Sequence, residues 1–272
     1  MRTPRIAWAV TALVVAGPSA ATHVEVVPGG IARWAGEGLT LCGRGSESWR
    51  PVGDSCWYPI DLLEAATALD VWRESGSARE TARLSVADYP YPVQRITLKD
   101  DSRVHLSEAD GARAARESER VGALWSARGP RQFTLPLGDP LERLPEGGRF
   151  GSRRFFNDQP RSPHTGADYA AATGTPVLSV AAGIVLMADD LFFSGQSVFV
   201  HHGDGLVSMY FHLSSLAVEE GQEVERGQVV GEVGATGRAT GPHLHFGLRW
   251  RGARVDPAWL LGEVADVPRV GG

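Results

Sequence analysis

A mainly β fold is the class this sequence predicts, and three observations carry it. Short apolar runs of strand length recur along the 272 residues. The 33 glycines and 17 prolines break them into segments. Sustained helical composition is confined to one stretch, Ser107 to about Ala127. The expected layout is a leader at 1–21, a small β domain at 22–100, a helical linker at 101–130, a Gly-rich antiparallel β domain at 131–262 and a tail at 263–272. Each β segment is long enough to bury its own core.

The leader pairs Arg2 and Arg5 with an apolar run, Ile6 to Ala16, too short to span a bilayer; Ser19-Ala20-Ala21 offers small residues for cleavage. It reads as a secretory signal, with an uncleaved anchor as the alternative. In the first β domain, segments such as Gly29-Gly30-Ile31-Ala32-Arg33-Trp34, Leu39-Thr40-Leu41-Cys42 and Tyr91-Pro92-Val93-Gln94-Arg95-Ile96-Thr97-Leu98 alternate in strand fashion. Ile60 to Arg73 also has helical spacing and is assigned to strand. Ser107-Glu108-Ala109-Asp110 resembles a capping box, opening a charged helix that Gly129-Pro130 ends. Beyond residue 131, strand-like runs at 176–180, 183–187, 197–200 and 206–210 alternate with Gly turns.

Composition excludes several classes. Formal net charge is −5, and −7 once Arg2 and Arg5 are removed, so no basic nucleic-acid face is expected. After the leader no apolar stretch is long enough to span a membrane, so no stable insertion follows cleavage. Cys42 and Cys56, fourteen apart in an exported region, are expected to form a disulfide worth about 3 kcal/mol by loop closure. Neither has a neighbouring His, which speaks against a Cys nucleophile.

The chemistry concentrates in histidine. Six of the eight lie between His164 and His245. His164-Thr165-Gly166-Ala167-Asp168 supplies a His-x-x-x-Asp pair, and His243-Leu244-His245 a His-x-His pair. Imidazole and carboxylate are zinc ligand types, and three protein ligands with an open position mark a catalytic rather than a structural site. On a strand, residues two apart share a face, so His243 and His245 project together. Either could bind metal while the other reaches the attacking water, and spacing alone does not choose. His201 and His202, at a strand end beside a turn, read as structural.

Arg161 to Asp168, Gly174-Thr175-Pro176-Val177, Tyr210-Phe211-His212-Leu213-Ser214, Gly227-Gln228-Val229-Val230-Gly231 and Thr240-Gly241-Pro242-His243-Leu244-His245-Phe246 together resemble the lysostaphin-type (LytM-type) zinc endopeptidases, in order and spacing, over roughly 131–262. The resemblance implies an antiparallel β peptidase domain that cuts peptide cross-links of bacterial peptidoglycan. It implies one Zn²⁺ per chain held by His164, Asp168 and His245, with His212 and His243 orienting and deprotonating water or steadying the transition state. Arg154, Asn157 and Tyr210 are candidates for the substrate groove. Gly166 and Gly241 are expected to permit turns or close substrate approach. Where many members carry an acid after the last motif, this chain has Gly247, which bears on the surroundings of the site and not on the five residues.

A catalytically silent wall-binding protein or activator of other hydrolases is the alternative, and the complete set of five argues against it. A biotinyl or lipoyl carrier, suggested by Gly221 to Gly231, is excluded because the chain's single lysine, Lys99, lies outside that region. Glycine bridges, D-Ala–diaminopimelate cross-links and stem-peptide bonds all stand as substrates. The form of the leader and the absence of a wall-targeting module favour a Gram-negative periplasm and the diaminopimelate cross-link. The N-terminal β domain is expected to position the peptidase or shield its groove; a regulatory protein partner is conceivable but has no signature in the chain.

Overall fold

The computed structural model describes residues 23–97, 106–262 and 264–271; the expected leader at 1–21 lies outside them. The first region holds β1 (His23–Val26), β2 (Ile31–Ala35), β3 (Leu39–Arg44), β4 (Glu47–Trp49), β5 (Ser55–Pro59), β6 (Ala68–Ser75), β7 (Ala78–Val86) and β8 (Val93–Ile96). Helix α1 (Glu108–Leu124) follows. Then come β9 (Arg153–Phe156), β10 (Gln159–Pro160), β11 (Gly166–Tyr169), β12 (Pro176–Leu178), β13 (Gly183–Leu191), β14 (Gly195–His201), β15 (Leu206–Leu216), β16 (Glu223–Val224), β17 (Val229–Val233), β18 (Leu244–Trp250) and β19 (Ala253–Val255). The mainly β expectation is met.

Among the described residues the N-terminal strands form a sheet in the order β1-β7-β6-β3-β4 and a β2-β5 pair. The disulfide Cys42–Cys56 joins β3 to β5 across a Cα separation of 5.5 Å, within the Cα range that disulfides occupy. Of the ambiguous stretch Ile60 to Arg73, only the part from Ala68 onward is strand. Residues 61–67 before it form a connection, and Asp61 there accepts from Arg254 Nε at 2.9 Å.

Helix α1 is capped as expected at Ser107, whose Oγ accepts from Asp110 N at 3.1 Å. It ends at Trp125, a few residues before Gly129-Pro130. No residue of the helix is buried, yet Val121 and Leu124, with Trp125, pack against Met187, Phe199 and Met209. Arg113 and Arg120 reach Asp190 and Asp189 of β13 at 3.4 and 2.9 Å. The helix therefore lies along the C-terminal sheet.

That sheet runs β11-β18-β15-β14-β13-β16, with β19 beside β18 and β17 bridging β12 and β15; every pairing in it is antiparallel. Strand β15 is buried on both faces, and its alternation sorts side chains between two cores. Leu206 and Tyr210 enter the main core with Phe246, Leu248 and Trp250, while Val207 and Met209 enter the layer under α1.

The N-terminal region buries a core of its own around Tyr58, Ile60, Val71 and Leu84, and it also contributes to the C-terminal core. Ile31, Val52 and Trp57 belong to the cluster that contains Trp250. Arg251 is stacked 4.5 Å from both Trp49 and Trp250, pairs with Asp204 at 2.6 Å and donates to Trp57 O at 2.8 Å. Strand β8 leaves the N-terminal sheet and pairs in parallel with β9, Val93 opposite Arg153 and Ile96 opposite Phe156. The N-terminal region thereby builds one wall of the groove described next.

Candidate functional site

The site is written by strand alternation. Asp168 on β11 is the direct cross-strand partner of His245 on β18, and His245 is the partner of Phe211 on β15. Cross-strand partners point to one face, so the three form a row on the side of the sheet opposite Phe246 and Tyr210. His164 lies two residues before β11, where its N–H donates to Ser152 O at 3.0 Å and its carbonyl accepts from Gly151 N at 2.7 Å, and from there its ring reaches Asp168.

His164 is 2 % exposed and His245 7 % exposed. His164 Nδ1 donates to Arg149 O at 2.9 Å, which leaves Nε2 with a lone pair. That Nε2 lies 2.7 Å from His245 Nδ1 and 2.9 Å from Asp168 Oδ1, and His245 Nδ1 lies 3.0 Å from the same carboxylate oxygen. Phe211 stacks on His245 with centroids 5.2 Å apart and an interplanar angle of 2°, fixing the ring.

Acceptor atoms this close repel unless a cation or a proton lies among them. Burial opposes the proton: it pushes His245 down to about 4 and lowers His164 as well. Burial alone would raise the Asp168 carboxyl, but the two imidazoles against it, His164 and His245, outweigh burial and hold Asp168 far below the usual carboxylate range. Two neutral imidazoles and an ionised carboxylate result, which is a metal-ready donor set. Tetrahedral zinc with bonds of about 2.0–2.1 Å places its ligand atoms about 3.3 Å apart. The three distances here are slightly shorter, and the residues fit such an ion.

His212 and His243 face this cluster, with ring centroids 4.9 Å apart. His212 sits at φ 64°, a left-handed conformation that disfavours any non-Gly residue. Its N–H donates to Ser194 O at 2.9 Å, pinning the distortion in β15. Its Nδ1 donates to Thr236 O at 2.9 Å, and His243 Nδ1 donates to Gly241 O at 2.8 Å. Backbone carbonyls only accept, so each ring carries its N–H on Nδ1 and turns Nε2 towards the cluster; His243 Nε2 lies 3.8 Å from Asp168 Oδ1. Burial, with His245 and His243 adding to it, pushes His212 down to about 3, keeping it neutral.

Of the groove candidates, Arg154 lies where expected. Its Nη2 is 3.2 Å from Asp168 Oδ2, and it lines an open groove of about 480 Å³ together with Arg149, His212, Arg238 and His243. Tyr210 is a correction. It is fully buried, its ring packs 5.3 Å from Phe246, and its hydroxyl accepts from Val180 N at 3.0 Å, so it is core beneath the site. Asn157 is a second: with Asp158 it forms the two-residue turn between β9 and β10, both at positive φ. That is the chemistry of a primed hairpin turn rather than of a groove wall.

Gly166 is needed for approach, not for a turn. A Cβ there would stand 2.6 Å from His245 Nε2 and 2.5 Å from Phe246 O. Gly241 lines the groove; its φ is not positive, so no turn there requires glycine, and a Cβ would have nothing within 4 Å. Sequence reasoning missed the groups that set the rings: the carbonyls of Arg149, Thr236 and Gly241, and the stacking Phe211. A carbonyl exists at every position and leaves no side-chain signal. Phe211 could have been found from its place in the Tyr-Phe-His motif.

His202 is the core histidine that its position suggested. It is wholly buried, with Nδ1 donating to Ala182 O at 2.8 Å and Nε2 2.7 Å from Ser208 Oγ. Burial lowers it from 6.5 to about 4. An unfolded imidazole takes its proton near 6.5, so this contribution is complete above that pH and is lost as pH falls towards 4. About 2 kcal/mol of unfolding free energy should be gone by pH 5 on this account. Urea unfolding of the chain and of His202→Gln at pH 7 and 5 checks it; an equal acid loss in both would refute it.

The sequence profile of peptidase family M23 matches residues 162–257, the stretch that carries all five residues. The chain is 44% identical over 95 residues to the peptidoglycan DD-endopeptidase ShyA of Vibrio cholerae, covering 35% of this chain and 22% of that protein. It is 45% identical over 94 residues to the DD-carboxypeptidase/endopeptidase Mpg of Neisseria meningitidis, covering 35% and 22%. The chain thus spans about a fifth of the length of these curated relatives. A crystal structure from Pseudomonas aeruginosa assigned to peptidase M23 superposes with a TM-score of 0.64 at 32% identity, over 87% of this chain and 95% of that one.

Proposed function

The chain belongs to peptidase family M23, and on that premise we propose that it is an exported zinc metallo-endopeptidase hydrolysing peptide cross-links of bacterial peptidoglycan. The observation that carries the reading is the convergence of His164 Nε2, Asp168 Oδ1 and His245 Nδ1 beside the rings of His212 and His243. Export follows from the leader read in residues 1–21, and the compartment is the Gram-negative periplasm. The D-Ala–diaminopimelate cross-link is the preferred bond, since ShyA is named a DD-endopeptidase and Mpg a DD-carboxypeptidase/endopeptidase.

His164, Asp168 and His245 would hold the zinc, which when bound supplies Lewis-acid polarisation of the scissile carbonyl and acidifies water. The remaining steps belong to this chain's own residues. His212, kept neutral by burial, accepts from water through Nε2 and takes its proton as the amide carbon is attacked, while His243 faces the same water and steadies the transition state. The resulting imidazolium is then a donor and returns the proton to the leaving nitrogen. General acid–base help of this kind is worth on the order of 10²–10⁴-fold. The amide is hydrolysed with no covalent bond to the protein. No side chain in the site favours the silent activator.

The test is digestion of purified peptidoglycan by the chain, with chelator and with zinc added back, read by mass spectrometry. New cleavage products that vanish with chelator and return with zinc support the proposal and name the bond. No products across several wall types would sink it.

A further inference from the structure

The groove is basic on an acidic chain. Its lining carries Arg149, Arg154 and Arg238 against Glu146 and Asp168, whereas the whole chain has 27 basic and 32 acidic residues. Arg154 is committed to Asp168 at 3.2 Å. Arg149 is only loosely engaged, with Nη1 3.9 Å from the same oxygen and its side chain 58% exposed. When a divalent cation shares Asp168, the balance around the groove shifts further towards positive.

Two features set Arg149 and Arg238 apart from ordinary surface arginines. Arg149 occupies φ 74°, between Gly148 and the glycine at 151, where a glycine would avoid the conformational penalty. Its carbonyl would orient His164 with any side chain attached, so that role does not account for an arginine. The Arg238 guanidinium lies over two rings, 4.7 Å from Phe156 and 4.5 Å from Phe193, and the Arg238 backbone N–H donates to Phe193 O at 2.7 Å. Aromatic rings against a guanidinium hold its plane, and a held guanidinium matches a carboxylate through its edge with paired hydrogen bonds.

We propose that Arg149 and Arg238 form a carboxylate-binding subsite in the groove, selecting cross-linked peptides with a free carboxylate beside the scissile bond over uncharged glycine bridges. The inference rests on the peptidase reading above and adds what distinguishes one bond from another. Arg149 and Arg238 act on affinity, while the five histidine and aspartate residues carry the chemistry.

The test compares the zinc-loaded chain with Arg149→Gln and Arg238→Gln, and with Arg149→Lys as a charge-retaining control. Substrates are a cross-linked muropeptide dimer with free diaminopimelate carboxylates, its amidated counterpart and a pentaglycine bridge. Binding of the uncleavable stem peptide, free or amidated, is measured in parallel by calorimetry. The free-carboxylate dimer should be favoured about tenfold or more in kcat/KM, mainly through KM. Each Gln variant should lose that preference at both readouts with kcat nearly unchanged, and Lys should restore part of it. A chain indifferent to amidation, or variants that keep the preference, overturns the subsite even where hydrolysis is seen. A binding preference that the Gln variants abolish, with no hydrolysis of any substrate, upholds the subsite and overturns the peptidase reading instead.

Discussion

Replacing Asp168 with alanine is expected to empty the metal site and abolish hydrolysis together. Zinc content should fall from about one per chain to near zero, measured by metal analysis after dialysis. Losing the several kcal/mol that a bound ion contributes to charge stabilisation lowers the rate by at least about 10³-fold. The geometry adds a second consequence. Arg154 sits 3.2 Å from Asp168 with its side chain 19% exposed, and burial already lowers its pKa. Removing the carboxylate leaves that guanidinium without its partner, which costs about 3 kcal/mol of stability in a buried pair. The double variant Asp168→Ala with Arg154→Met should therefore regain stability in urea unfolding while neither binding zinc nor cutting peptide. A double variant that stays as unstable as the single one would show that the pair does not carry that stability; retained zinc in either would remove Asp168 from the ligand set.

His212 should behave in the opposite way. His212→Ala leaves the three ligand atoms in place, so about one zinc per chain is kept while kcat falls 10²–10⁴-fold. His212→Gly makes the sharper variant, because φ 64° suits glycine and relieves roughly 1 kcal/mol of strain. The expected result is a chain with equal or higher unfolding free energy than His212→Ala and equally low activity. Added imidazole should recover part of the rate in the glycine variant. Loss of zinc from either would show instead that His212 serves the metal, and unchanged kcat would remove it from the chemistry.

Much of the site was legible because its motifs use local spacing. The His-x-His and His-x-x-x-Asp pairs each sit at the start of a strand, β18 and β11, and such short spacings are visible in any sequence. The resemblance then chose His245 over His243 as ligand, and the structure places His245 opposite Asp168, with His243 a step outside the ladder. Tyr210 and Asn157 misled for physical reasons. An aromatic beside a histidine motif faces the groove or the core according to parity, and the distortion at His212 changes which residues of β15 share a face. An Asn in a loop has the same composition whether it binds substrate or turns a hairpin.

Sequence alone decided the mainly β class, the capped helix, the Cys42–Cys56 pair and the His-x-x-x-Asp and His-x-His pairs, because each depends on residue type and short-range periodicity; His212 entered only through the resemblance. Only the tertiary structure decided that the N-terminal strands share a core with the C-terminal sheet, that β8 props the groove wall through β9, that backbone carbonyls set all four ring orientations it resolves at His164, His202, His212 and His243, and that Arg149 and Arg238 stand in one groove. Those facts join residues far apart in the chain through register, packing and main-chain hydrogen bonds, and such pairings leave no mark in local composition.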